Sequence, residues 1–294
     1  MSKALILATR GSALALAQSR WAAAALQAAH PGLVVELKIF KSSGDQKADV
    51  ALSSAGGQGL FTKELEQALI AGDADLAVHS LKDLPTQLAP GLVLAAISER
   101  EDWRDAWLSR RYTSPWDLPQ GATVGTGSPR RRAQLALRRP DLKFVEFRGN
   151  VDTRLAKLER GEVDGAVLAC AGLRRLGLEA KITRAFTMEE MLPAPGQGFI
   201  ALETRDSGDA RSLVSALNHP FAFAHASAER SLLSRLEAGC HAPVGALAQS
   251  VDGILTLDAF VGLKQSLRLR AQGSLDDPAA LGWKLAEEAL GMDV

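Results

Sequence analysis

Two segments of this chain set a helix-starting serine beside arginine. In one, Gly125-Thr126-Gly127-Ser128-Pro129 leads into Arg130-Arg131-Arg132. A serine there can cap free helical N–H groups, and proline is tolerated at the first helical position. Such N–H groups and the helix dipole favour an anion, and the arginines add charge. A plain capped helix with a solvated basic face explains that segment taken alone. The same device in Thr9-Arg10-Gly11-Ser12 points instead to two anion sites. Arg148 and Arg154 flank a Gly149-Asn150 turn, and Arg174-Arg175 lies further on. A guanidinium fork makes paired, charge-assisted hydrogen bonds to carboxylates, so a set of such arginines implies a ligand rich in carboxylates. Each taken singly reads as a surface arginine.

Asp83 sits in Ser80-Leu81-Lys82-Asp83-Leu84-Pro85, just past an apolar run. Ligands of open α/β sheets bind beyond the carboxyl ends of strands, which suits a catalytic carboxylate. A turn aspartate paired with Lys82 explains it as well. The two cysteines contrast. Cys170 follows Ala166-Val167-Leu168-Ala169 and reads as a small buried hydrophobe. Cys240 lies in Gly239-Cys240-His241-Ala242-Pro243, a turn where a thiol can be exposed and an imidazolium can favour thiolate. On the residues alone, a loop cysteine without function is the simpler reading. No further Cys/His cluster accompanies the pair, so no metal site is expected. There is no Walker A sequence and no complete dinucleotide fingerprint.

These residues need a scaffold, and short apolar runs alternating with helical patterns predict α/β with largely parallel strands. Ala4–Ala8 reads as a buried strand, followed by an alanine-rich helix to about Ala29 and a second strand over Leu33 to Phe40. Residues 41–59 are rich in Ser, Gly and Asp without periodicity, and a loop of that length is read as a mobile lid, with a merely floppy surface loop as the alternative. A helix over Leu60–Ala71 and a strand over Asp75–His79 lead to Asp83. Ala122-Thr123-Val124 and Val163–Cys170 are further strands. The recurrence of strand, Thr-x-Gly-Ser or Thr-Gly-Ser-Pro, and helix suggests two similar α/β lobes facing one another. From about Pro220, a helix over Ala224–Glu237, alternating strands and a helix over Ala279–Leu290 suggest a small α+β domain.

The 294 residues allow two or three domains. Lysine plus arginine balance aspartate plus glutamate at 34 each, so net charge argues for neither nucleic acid nor a membrane surface. The N-terminal apolar run is too short for a signal peptide, and no stretch has the length of a membrane span. A soluble, cytoplasmic, disulfide-free protein is expected.

The ordered motifs resemble those of the porphobilinogen deaminase (hydroxymethylbilane synthase) family. They are Ala8-Thr9-Arg10-Gly11-Ser12 with Leu14–Gln18, Gly59-Leu60-Phe61 with Lys63–Glu66, and Ala77–Pro85. Arg148–Val151 with Thr153-Arg154-Leu155, Leu192–Gly198, Ala228-Glu229-Arg230 and Leu236–Cys240 complete the set. The resemblance implies two lobes like type II periplasmic binding proteins plus a small α+β C-terminal domain. The expected domains are 1–98 with a returning 196–216, 99–195, and 217–294. It implies a transferase of porphyrin and tetrapyrrole biosynthesis that adds four porphobilinogen units to a dipyrromethane primer. That primer would be linked through a thioether to Cys240. Release of hydroxymethylbilane to the next enzyme of the pathway would follow, and a monomer is implied.

By the same resemblance Asp83 would be the catalytic carboxylate, stabilising positive charge near pyrrole N–H groups and assisting proton transfer. Arg10, Arg130, Arg131, Arg148, Arg154 and Arg175 would bind the acetate and propionate arms. Ser12, Gln18, Ser80, Lys82, Thr126, Ser128 and Gln197 would assist, and Arg132 and Arg174 would be solvated neighbours. The chain departs from the family at Gln58, where lysine is usual, and at Gly127, Pro129 and Ala238. It also stops at Val294, where relatives often continue. A non-catalytic binding protein of the same lobed architecture is the competing reading, though it gives Cys240 no role. A regulatory ligand-binding module is a second, but no helix-turn-helix segment is evident.

Overall fold

The computed structural model describes residues 4–41, 62–239 and 242–292. The expected lid therefore lies, apart from Lys41, outside the described residues, as do Cys240 and His241. The chain divides into two compact units, Met1–Arg100 with Phe199–Phe223 and Glu101–Gly198 with Ala224–Val294.

The first unit is built on β1 (Leu5–Thr9), α1 (Ala13–Ala29), β2 (Val35–Ile39), α2 (Lys63–Ala71), β3 (Leu76–Ser80), β4 (Leu92–Ile97), β10 (Ile200–Arg205) and α6 (Asp209–Ser215). Its sheet runs β2-β1-β3-β10-β4. β1 pairs with strands on both sides and is covered on both faces, which is why Leu-Ile-Leu-Ala-Thr shows no polar alternation. Helix α1 starts where Ser12 Oγ accepts the Ala15 N–H at 3.3 Å. It turns Ala22, Ala23 and Leu26 onto a core shared with Leu7, Leu76 and Leu202.

The second unit holds β5 (Asp105–Leu108), β6 (Thr123–Gly125), α3 (Pro129–Arg138), β7 (Lys143–Val145), α4 (Val151–Glu159), β8 (Gly165–Ala169), α5 (Cys170–Arg175) and β9 (Arg184–Ala185). Its sheet order is β7-β6-β8-β5-β9. The plan matches that of the first sheet. A leading strand lies between the second and third, then comes one strand antiparallel to its neighbours, then the last. Thr9–Ser12 and Thr126–Ser128 thus occupy equivalent places, between a leading strand and its helix. Each sheet is largely parallel, as expected, with four of its five strands running one way; the exceptions are β10 and β5, which run antiparallel to both neighbours. Neither is reached through a right-handed βαβ crossover, so neither is held to the parallel direction.

The C-terminal part of this unit is a separate small domain. Its strands β11 (Val244–Val251), β12 (Ile254–Val261) and β13 (Leu267–Ser274) form an antiparallel sheet, flanked by α7 (Pro220–Arg235) and α8 (Pro278–Gly291). β13 alternates half-buried and exposed residues, as a sheet with one solvated face requires. Leu232, Leu257, Leu285 and Ala289 belong to its own core. Fully buried Glu229 on α7 accepts the Gly196 N–H at 2.6 Å and the Ala248 N–H at 2.8 Å. One carboxylate thereby ties the helix to β11 and to the turn before Gly198.

Helices α7 and α8 approach closely at Gly282, where a Cβ would fall 2.1 Å from the Ala228 carbonyl oxygen and 2.8 Å from the Leu232 nitrogen. Gly282→Ala should destabilise the protein by about 1–3 kcal/mol in urea unfolding, since backbone atoms must move apart. Gly291→Ala, which meets open space in the same helix, should be neutral or stabilising by up to about 1 kcal/mol. Equal stability of the two variants would refute the close approach.

Candidate active site

In the first unit the predicted residues gather at the carboxyl end of the parallel strands. Arg10 and Ser12 follow β1, and β3 beside it ends at Ser80. A single 3-10 turn, Leu81–Asp83, then carries Lys82 and Asp83. Buried Leu81 anchors that turn while Asp83 remains exposed and Lys82 half-buried. Gln18, buried on α1, donates from Nε2 to Ser80 Oγ at 2.8 Å. Two predicted ligand-binding residues are thus bonded to each other, and they fix the end of β3 against α1. Just behind it, buried His79 Nε2 lies 3.0 Å from Glu203 Oε2 on β10. Burial pushes the nearby Glu66 carboxyl up, and the charge of Glu203 adds to that rise.

In the second unit the arginines divide by environment. Ser128 caps α3, its Oγ accepting the Arg131 N–H at 3.5 Å, and Thr126 Oγ1 accepts the Ser128 N–H at 3.2 Å. A solvated basic face does not form behind this cap. Only Arg132 of the three is exposed, whereas Arg130 and Arg131 are 3% and 7% accessible. Both turn onto Asp105, the fully buried first residue of β5. Arg130 Nη1 donates to Asp105 Oδ2 at 2.7 Å and to the Leu192 carbonyl at 2.6 Å. Arg131 donates to Oδ1 through Nε at 3.0 Å and Nη2 at 2.7 Å, and through Nη1 to the Val167 carbonyl at 2.9 Å. Gln197, buried as well, adds an Nε2 bond of 3.0 Å to the same Oδ1 and one of 2.8 Å to the Trp103 carbonyl.

Burial alone would raise the Asp105 carboxyl, but the charges and hydrogen bonds of Arg130 and Arg131 carry it well below the ordinary carboxylate range. Burial pulls Arg130 down, with Arg131 acting in the same sense and Asp105 opposing both. Two guanidiniums against one carboxylate leave the trio with a net positive charge. Arg130 Nε is buried and makes no hydrogen bond to the described residues. A buried donor of this kind is costly unless something accepts from it.

The other arginines are held less deeply. Gly149 takes a positive φ of 108°, and a Cβ there would sit 2.7 Å from Thr153. Around that turn Arg148 Nε meets Glu146 Oε2 at 2.9 Å, and Arg154 Nε donates to the Gly149 carbonyl at 2.8 Å. Arg175 donates from Nη2 to the Gly198 carbonyl at 2.6 Å, and burial lowers its guanidinium to about 10. Cys170 is fully buried at the start of α5, its thiol pushed up to about 12 by burial and then by Asp102 and Asp105. No cluster of His, Cys, Asp and Glu among the described residues could hold a metal, and no helix there is long and apolar enough to cross a membrane.

Asp105 is the functional candidate that the sequence reading missed. It lies in Glu101-Asp102-Trp103-Arg104-Asp105, which by composition is a charged surface stretch. The available signal is that Asp105 opens an otherwise apolar run, Ala106-Trp107-Leu108. His79, Glu203 and Glu229 were likewise invisible as partners, since each meets residues distant in sequence.

The family model described as porphobilinogen deaminase, dipyromethane cofactor binding domain, matches residues 5–212. That described as porphobilinogen deaminase, C-terminal domain, matches residues 223–291. Structural neighbours include an ABC transporter periplasmic substrate-binding protein from Coxiella burnetii. It is 17% identical, with 77% of this chain and 96% of that one covered at a TM-score of 0.47. A nutrient binding protein from Burkholderia cenocepacia, bound to methionine, is 16% identical, with 79% and 95% covered at a TM-score of 0.44.

The two classes of arginine should separate in a stability measurement. Arg131→Gln removes half of the charge balance around a buried carboxylate and should cost about 3–5 kcal/mol. Arg148→Gln breaks a pair whose glutamate is largely exposed and should cost under about 1 kcal/mol. Similar losses in chemical denaturation would contradict the division.

Proposed function

The chain belongs to the porphobilinogen deaminase family, and on that premise we propose that it condenses four porphobilinogen molecules, with loss of ammonia, into the linear tetrapyrrole hydroxymethylbilane. What carries this reading is the match of both family models, which together take in nearly all of the chain. The donor set supports it. Each pyrrole of such a ligand bears an acetate and a propionate. The net positive Asp105–Arg130–Arg131 trio, an Arg130 Nε that makes no hydrogen bond to the described residues and the capped start of α3 suit those carboxylates. The residues present therefore fit a polycarboxylate cofactor of the dipyrromethane type. The proposed thioether to Cys240 falls outside the described residues. When bound, the dipyrromethane supplies the pyrrole carbon from which the chain is extended.

The protein's own part is electrostatic and positional. Asp83, exposed at the end of its turn, offers a carboxylate to pyrrole N–H groups and to the positive charge that develops as the substrate's amino group departs. It also serves to hold or pass a proton at its Oδ atoms. Lys82, Arg10 and Ser12, at the same end of the first sheet, bind substrate carboxylates. Gln18 acts through Ser80 by fixing the end of β3. In the second unit Arg131, Arg148, Arg154 and Arg175 hold carboxylates, with Thr126 and Ser128 ordering the loop that carries them. The three-domain division, a monomeric state and a cytoplasmic location belong to the same proposal, as does transfer of the product to a following tetrapyrrole enzyme.

Ammonia release from porphobilinogen tests the reading. Purified protein carrying its cofactor should release it, and Asp83→Ala should lower kcat by about 10²-fold or more while the cofactor stays attached. Folded, loaded protein that releases no ammonia would overturn the function. A near-normal rate in the variant would overturn only the role of Asp83.

A further inference from the structure

We propose that Asp105 is a positioning residue for the carboxylate-binding arginines, acting on the ligand only through Arg130, Arg131 and Gln197. This rests on the function proposed above. The geometry separates it from a salt bridge that merely holds the fold. Asp105 occupies the first position of β5, opposite Ala169 at the end of β8, so its backbone is fixed by the sheet. From there its two oxygens take four side-chain donors at 2.7 to 3.0 Å, two from Arg131 and one each from Arg130 and Gln197. Arg130 and Arg131 follow directly from the Ser128 cap of α3. Asp105 therefore determines where two guanidiniums stand at the helix end that the sequence marks as an anion site.

The same bonds set how much charge a ligand meets. Without Asp105 the helix would carry two buried positive charges that repel one another and would leave the interior for water. With it, Arg131 is held on both edges, by Asp105 and by the Val167 carbonyl. Arg130 keeps a buried Nε with no bond to the described residues. The result is a pre-set donor and a net single charge at a fixed place. Binding held by such a pre-organised group costs less ordering than binding by mobile arginines. A loss of this positioning weakens ligand and transition state alike, which raises KM and leaves kcat nearly unchanged.

The test is Asp105→Asn in the full-length holoenzyme, compared with wild type. The fraction of molecules carrying the two-pyrrole mass should fall. In the loaded fraction KM for porphobilinogen should rise about tenfold or more, with kcat changed less than about threefold. A variant of lowered thermal stability but unchanged KM and unchanged loading would overturn the proposal and leave Asp105 a purely structural residue. Should the single variant fail to fold, Asp105→Asn is made together with Arg130→Gln, removing one buried charge of each sign, and compared with Arg130→Gln alone. The double variant should show a severalfold higher KM, because Arg131 has lost its anchor. Equal KM values would refute the role. Wild-type protein that neither carries the mass nor consumes porphobilinogen would instead refute the proposed function itself.

Discussion

A carboxylate taken fully out of water must be surrounded by donors, and Asp105 shows what that demand imposes. To satisfy it, α3 must begin where Arg130 and Arg131 can reach β5, and the turn through Gln197 must pass the same point. One side chain thus sets the register of a helix, a strand and a loop far apart in sequence. The Leu192 and Val167 carbonyls, which accept from Arg130 Nη1 and Arg131 Nη1, draw β8 and the turn before Gly196 into the same group. Glu229 repeats the device with backbone donors, joining the C-terminal domain to that turn.

Where the sequence could be read, local chemistry was responsible. The apolar run of β1, the serine caps at Ser12 and Ser128, and the end of α1 near Ala29 all follow from neighbours along the chain. The likeness of Thr9–Ser12 to Thr126–Ser128 proved to be a matter of equivalent places in two sheets of one plan. Strands β5 and β10 could not be read in this way. Each pairs antiparallel with partners reached only after the fold has closed. The burial of Arg130 and Arg131 was hidden for the same reason, since nothing beside them announces Asp105.

The candidate site was legible in part. Motif resemblance marked Asp83 and the arginines, and the sheets bring each group to the carboxyl end of its own parallel strands. What the motifs do not distinguish is an arginine that offers donors from one that is also held. Arg148 lies beside a largely exposed glutamate, whereas Arg131 is locked on both edges. Gln18 and Gln197 are likewise bonded to other residues of their own unit. In this account the ligand's carboxylates meet groups already ordered by the fold, and the reacting pyrroles meet the exposed carboxylate of Asp83.

The central claim is that this family member builds its product on a covalent dipyrromethane. Intact-protein mass, on wild type and on Cys240→Ala, tests it most directly. The account predicts an excess equal to two linked pyrrole units in the wild type and none in the variant. A well-folded wild type without that excess, which gains none after incubation with porphobilinogen or hydroxymethylbilane, would contradict it.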